Sequence, residues 1–286
     1  MAHESTALLS AADLNKSYGG VRAVREVSLD VGPGEVVGLI GPNGAGKTTL
    51  VDLLSGTQSA DSGRITLRGR VISGAPSRRA RAGLARTFQY PQLAPDLTVW
   101  ENILLGRLHR RMGSAWGIMR TAVRSLLRPV HRDDADEVDR ICAALHISEP
   151  QRLWSDLTLG EQRLIEVARA LAQEPDVLLL DEPFAGSDAE GEAGIRRAVA
   201  TVSGRGHGVV LVDHNVDIVA SLVERVVLMD QGAVAFEGPP DECLRSPEMR
   251  QVYFGTATAQ AQQQDAADSA RPEASATDRV QEEGDR

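Results

Sequence analysis

Cysteine is nearly absent: Cys142 and Cys243, about a hundred positions apart, are the only two in 286 residues. Neither stands in a paired spacing, which excludes a recognisable zinc or redox motif and leaves two buried or incidental thiols in a reducing compartment. Long apolar runs are missing as well. No uncharged stretch approaches the roughly 18 residues that a membrane span needs, and the opening MAHESTALLSAADLNKSY has no basic start followed by an apolar run. The chain is therefore expected in the cytoplasm, with any membrane role supplied by a partner. Positive charge is also in deficit. A net charge of −9 argues against a general affinity for nucleic acid, so an anionic ligand must be held by local geometry. Lysine is scarcest, since Lys16 and Lys47 are the only two and arginine supplies the rest.

What is present suffices for a full core. With 42% hydrophobic and 25% charged residues, the chain should form one large domain or two small ones. The β-like runs REVSLDV, EVVGLIG, DVLLLD, GVVLVD and ERVVLMD recur between helical patterns, and three of them are nearly continuous apolar stretches. Strands buried on both faces read this way, which predicts an α/β fold with a mostly parallel sheet covered by helices. From residue 91 to 164 the pattern is amphipathic helix, as in TVWENILLGRLHRR and DDADEVDRICAALHI, with no convincing strand. This predicts a helical subdomain, 91–164, inserted into a core made of 10–90 and 165–255. The acidic segment 256–286 holds too few large apolar side chains to offset the entropy of ordering and is expected to be disordered, as are residues 1–9.

The strongest local signal is GPNGAGKTT, which follows the strand EVVGLI and precedes the helix-like TTLVDLLSG. It fits G-x-x-x-x-G-K-[ST] in its proper setting of strand, glycine loop and helix. Gly41, Pro42, Asn43, Gly44, Ala45, Gly46, Lys47, Thr48 and Thr49 are the candidate phosphate contacts. Backbone amides and the helix's positive end would surround phosphate oxygens, Lys47 would reach the β and γ phosphates, and the Thr48 hydroxyl would bind Mg²⁺. A second signal is DVLLLDEP, an apolar strand that delivers Asp181 and Glu182 at its C-terminal edge, where ligands of open α/β sheets bind. Asp181 would hold Mg²⁺ through water and Glu182 would take a proton from the attacking water; a bland alternative is that both cap a following helix. A third is LTLGEQR, where Thr158 and Glu161 stand three apart before an apolar-periodic run, the spacing of a capping box.

In this order, the phosphate loop, LTLGEQR and VLLLDEP resemble the nucleotide-binding subunits of ATP-binding cassette (ABC) transporters, over residues 8 to 255. The resemblance implies a P-loop NTPase (RecA-like) core with an antiparallel β region and an inserted helical subdomain. It also implies an ATPase that works as a homo- or heterodimer with integral membrane permease subunits, peripheral on the inner face of the cell membrane, plus an extracytoplasmic binding protein if it imports. LTLGEQR is similar to the family's LSGGQ signature, so Thr158, Gly160 and Glu161 would touch the nucleotide of the other subunit. By the same resemblance Tyr18 would stack on adenine, Gln89 would sense Mg²⁺ and the attacking water, His214 would contact the γ-phosphate, and Asp188 would lie in the loop between subunits. Three positions depart from the family pattern: Leu159 replaces a glycine, Glu161 a glutamine, and Ser187 an apolar residue.

GLARTFQ, LTVWENILLG and the ending AFEGPPDECLRSPEMRQVYFG look most similar to ATPases of branched-chain amino acid importers. Urea or amide uptake, lipopolysaccharide extraction and iron-sulfur cluster assembly remain alternatives; a soluble ABC protein of translation or DNA maintenance would need a second cassette or a long coiled coil. One feature stands apart: Arg107 to Arg132 holds seven arginines and no acidic residue. It reads either as a basic amphipathic helix against anionic lipid or the membrane subunit, or as an ordinary solvated helix.

Overall fold

The apolar runs form the centre of a large sheet. A computed structural model describes residues 7–87, 94–111 and 132–255; the 107–132 feature, both chain ends and Gln89 lie wholly or partly outside them. The strands are Leu9–Tyr18 (β1), Val21–Val31 (β2), Val36–Ile40 (β3), Ser62–Leu67 (β4), Arg70–Val71 (β5), Leu84–Arg86 (β6), Val177–Asp181 (β7), Gly208–Val212 (β8), Arg225–Asp230 (β9) and Ala233–Gly238 (β10). The helices are Lys47–Ser55 (α1), Pro76–Ala82 (α2), Val99–Arg111 (α3), Arg132–Ala144 (α4), Leu159–Leu171 (α5), Ala189–Gly204 (α6), Val216–Ala220 (α7), Pro240–Arg245 (α8) and Pro247–Arg250 (α9).

The larger sheet runs β10-β9-β3-β8-β7-β6, parallel throughout except for β10 on β9. Every residue of β3, β7 and β8 is buried, and the period of two sorts their side chains into two cores. Val37, Leu39, Val177, Leu179, Val210 and Val212 face one side, where the antiparallel sheet β2-β1-β4-β5 and α1 cover them. Val36, Ile40, Leu178, Leu180, Val209 and Leu211 face the other, in one continuous apolar cluster with Ile103 of α3, Ile141 of α4 and Ile165 of α5. Each such Val or Leu contributes about 1.5–3 kcal/mol by leaving water. Between Ala94 and Leu164 the described residues are helical apart from turns and a single antiparallel bridge, Thr98 to Leu153.

Register places the site. Leu39 pairs with Val212, and Val212 with Asp181. The chain therefore leaves β3, β7 and β8 at one edge, which brings Gly41, Glu182 and Asp213 together although they are far apart in sequence.

Candidate functional site

The loop from Gly41 to Gly46 turns the chain from β3 into α1 on backbone angles that suit glycine. Gly41 has φ 145 and Gly46 has φ 102. A Cβ at Gly41 would strike the Met229 carbonyl, and one at Gly46 the Ala23 carbonyl. Together with Thr48, Thr49, Glu182 and Gln231, the loop lines a cleft of about 640 Å³. Arg22 and Arg25 line it too, a pair that no sequence motif announced. Lys47 folds back over the loop, and its Nζ donates to the carbonyls of Gly41 at 2.6 Å and Pro42 at 3.0 Å. Burial lowers its pKa, while the carboxylates of Glu182, Asp181 and Asp213 pull the other way.

Asp181 ends β7 with its carboxylate almost fully buried. Arg86 Nη2 lies 2.8 Å from Asp181 Oδ2, and Arg86 Nη1 lies 2.5 Å from Asp52 Oδ1 on α1. The Asp181 N–H donates to Thr87 Oγ1 at 3.3 Å. Glu182 is held in the left-handed region at φ 48, with its N–H on the Val212 carbonyl at 2.8 Å. That places a carboxylate-bearing residue in the cleft at a backbone conformation that costs energy, as residues at chemical sites often do. His214 is largely exposed, its Nδ1 3.4 Å from Asp213 Oδ1. Burial raises the Asp213 pKa, against the opposing Asn215 amide and His214. Tyr18 is half exposed at the end of β1 and does not line the cleft, although Gly20 and Val21 do. The Lys16 ammonium lies 5.4 Å from its ring centroid, tied at 2.8 Å to Asp61. Gln89 lies outside the described residues.

The LTLGEQR residues occupy a different place. Thr158, Gly160 and Glu161 line a separate groove of about 210 Å³ with Arg152, Asp188 and Arg197. Thr158 caps α5 in a reciprocal box: Glu161 N–H donates to Thr158 Oγ1 at 3.3 Å, and Thr158 N–H donates to Glu161 Oε2 at 2.7 Å. Arg152 Nη1, which sequence reasoning did not single out, takes Glu161 Oε1 at 2.8 Å. Gly160 packs against Gly191 of α6, where a Cβ would come within 2.7 Å of the Gly191 Cα. Asp188 caps α6, its Oδ1 accepting the Gly191 N–H at 2.8 Å. One chain thus carries a glycine-loop cleft and a capped helix end that line separate pockets.

A sequence model of the family described as "ABC transporter" matches residues 24–185 of this chain. The chain belongs to the ABC transporter family. This ABC ATPase is 39% identical over 249 residues to a "Probable ABC transporter ATP-binding protein" of Azorhizobium caulinodans, covering 86% of this chain and 83% of that one. It is 34% identical to the "High-affinity branched-chain amino acid transport ATP-binding protein LivG" of Salmonella typhimurium (88% and 100% covered). It is 38% identical to the "Lipopolysaccharide export system ATP-binding protein LptB" of Acidithiobacillus ferridurans (87% and 97% covered). Among solved structures, the ADP conformation of an ATP-binding cassette of an ABC transporter superposes with a TM-score of 0.76 at 28% identity, covering 88% of this chain and 100% of that one. The ABC ATPase is therefore an α/β cassette of that fold which binds nucleotide and hydrolyses ATP, and ABC ATPase subunits dimerise and work with membrane permease components.

Proposed function

We propose that this cassette energises the uptake of branched-chain or related amino acids across the cytoplasmic membrane, working head to tail with a second ATP-binding subunit at the inner membrane face. The separation of the phosphate cleft from the LTLGEQR groove within one chain carries the dimer reading, because each half-site needs a complement from another cassette. No helix among the described residues is long and apolar enough to cross a membrane, so permease subunits would supply the path. Full-length likeness to LivG favours amino acid uptake. The LptB likeness makes lipopolysaccharide export the second reading.

In this reading Lys47 exchanges the Gly41 and Pro42 carbonyls for the β and γ phosphates. Asp181 and Thr48 present a carboxylate and a hydroxyl, hard oxygen donors suited to Mg²⁺, which when bound would neutralise charge on the β and γ oxygens. Glu182 accepts the proton of the attacking water as the bond from the γ-phosphorus to ADP breaks, and His214 contacts the γ-phosphate. Tyr18 stacks on adenine, Gln89 senses the water, and the other chain's Thr158 and Gly160 close over the γ-phosphate. Glu182→Gln should bind ATP, stop turnover and trap a closed dimer; ordinary turnover places the proton acceptor elsewhere. For the substrate, cassettes co-purified with their membrane subunits and reconstituted in liposomes should hydrolyse ATP faster with leucine and its binding protein. Stimulation by lipopolysaccharide alone would select the second reading.

A further inference from the structure

Arg86 belongs to neither the phosphate loop nor the carboxylate pair, yet it joins α1, the helix that follows the loop, to the strand that ends in Asp181. It ends the edge strand β6, its side chain 9% exposed, and its two arms reach Asp52 on α1 and Asp181 on β7. These three residues come from three separate elements. The planar guanidinium suits this bridge because it can serve two carboxylates at fixed angles, which a lysine's point charge cannot. Asp181, almost buried, requires a counter-charge whenever no metal is beside it. Thr87, the next residue, accepts the Asp181 backbone N–H, so the segment that leads toward Gln89 is tied to the main chain of the same residue.

We propose that Arg86 is a positioning residue for the metal-nucleotide complex: shared between Asp52 and Asp181, it sets how much of the Asp181 charge the metal feels. The inference rests on the reading of Asp181 as the carboxylate that faces Mg²⁺. A unit charge about 6 Å from a dication changes its affinity on the order of tenfold even when screened almost as in water. Arg86 thus opposes the incoming cation while keeping the buried carboxylate oriented. Asp52 moderates that opposition by drawing part of the guanidinium charge toward α1.

The two partners of the bridge therefore act with opposite sign. Calorimetry of ADP binding to the intact chain, titrated against free Mg²⁺, reads this directly and involves no turnover. Arg86→Gln removes the competing charge, and the Mg²⁺ needed for half-maximal binding should fall about fivefold or more. Asp52→Asn removes the Asp52 charge from the bridge while Arg86 keeps Asp181 and the neutral Ser55 hydroxyl at 3.1 Å, and the requirement should rise about threefold. General loosening of the site would raise it in both variants. Shifts of the same sign, or none, alongside a clear shift in Asp181→Asn, overturn the role of Arg86 and spare the assignment of Asp181. An unchanged Mg²⁺ dependence in Asp181→Asn overturns both. If Arg86→Gln fails to fold, Asp52→Asn is read beside Asp52→Glu, which keeps the charge: a requirement raised by the first alone supports the proposal, and one raised by both or by neither refutes it.

Discussion

Gly160→Ala tests the crossing of α5 and α6 at its tightest point. The added Cβ would stand 2.7 Å from Gly191 Cα and 3.5 Å from Asp188 Oδ1. Carbon atoms rest at about 3.5–4.0 Å, so the helices must part by roughly 1 Å or bend. Overpacking of this kind costs about 1–3 kcal/mol, and alanine returns at most about 1 kcal/mol of helix propensity. A net destabilisation of about 1 kcal/mol is expected from urea unfolding monitored by circular dichroism. Gly191→Ala should lose a similar amount, since its Cβ would meet Gly160 Cα at 2.7 Å and Asp188 Oδ1 at 3.1 Å. The double variant should lose less than the sum, because one separation of the helices relieves both contacts. The cleft lined by the glycine loop, proposed to hold the nucleotide, is elsewhere, so ADP binding should persist while ATP hydrolysis falls with the distorted groove. A variant that is more stable by the propensity gain, with unchanged hydrolysis, would refute the close approach.

Thr158→Ala removes the acceptor for the Glu161 N–H and should destabilise α5 by about 1 kcal/mol in urea, whereas Glu161→Gln keeps an oxygen for the Thr158 N–H and should change hydrolysis by less than about tenfold; a severe loss in the latter shows that the glutamate does more than cap. Arg79, buried against α1, donates Nη1 to the carbonyls of Leu53 at 2.5 Å and Leu54 at 2.6 Å. Arg79→Met should therefore cost about 2–4 kcal/mol in urea unfolding, and an unchanged midpoint means those carbonyls find other donors. Asp213 has a pKa raised by burial, so the folded state keeps its proton after the unfolded chain has lost it, and stability falls as pH rises through that window. Asp213→Asn should accordingly gain on the parent between acidic and neutral pH in thermal melts, and a constant difference between the two would show that Asp213 titrates alike in both states.

The elements legible in the sequence are those whose physics is local. A strand covered on both faces reads as an unbroken apolar run, hence β3, β7 and β8, and a phosphate loop needs its glycines, lysine and threonines within nine consecutive positions. Cap chemistry spans three residues, so the Thr158 and Glu161 box was equally readable. The order of strands in the sheet was not, because β3 lies between β8 and β9 through contacts that no local pattern encodes. Arg86 illustrates the same limit: it finds Asp181 95 residues away. One signal was available, since a cation ending an otherwise apolar β run must find a buried counter-charge, but its identity was not. Gly160 is expected from the resemblance to touch the other subunit's nucleotide; the structure adds Gly191 packed against it, a packing constraint invisible until α5 and α6 are in contact.

The glutamate at position 161 sharpens what a cap can do. An anion at a helix end that faces phosphate should repel its ligand, and glutamine avoids that. Here both carboxylate oxygens are engaged, Oε2 by the Thr158 N–H and Oε1 by Arg152, so the charge is turned back and opposed by a guanidinium. The box occupies the N–H groups of Thr158 and Glu161 and leaves those of Leu159 and Gly160 outside it, at the positive end of α5. In the dimer reading these are the groups that would meet the other chain's γ-phosphate. A glutamate fits this position because the same contacts that start the helix also take its charge out of the interface. Arg152→Ala should then slow hydrolysis, and Glu161→Gln in that background should restore it, whereas no rescue would mean the arginine acts on something other than the glutamate.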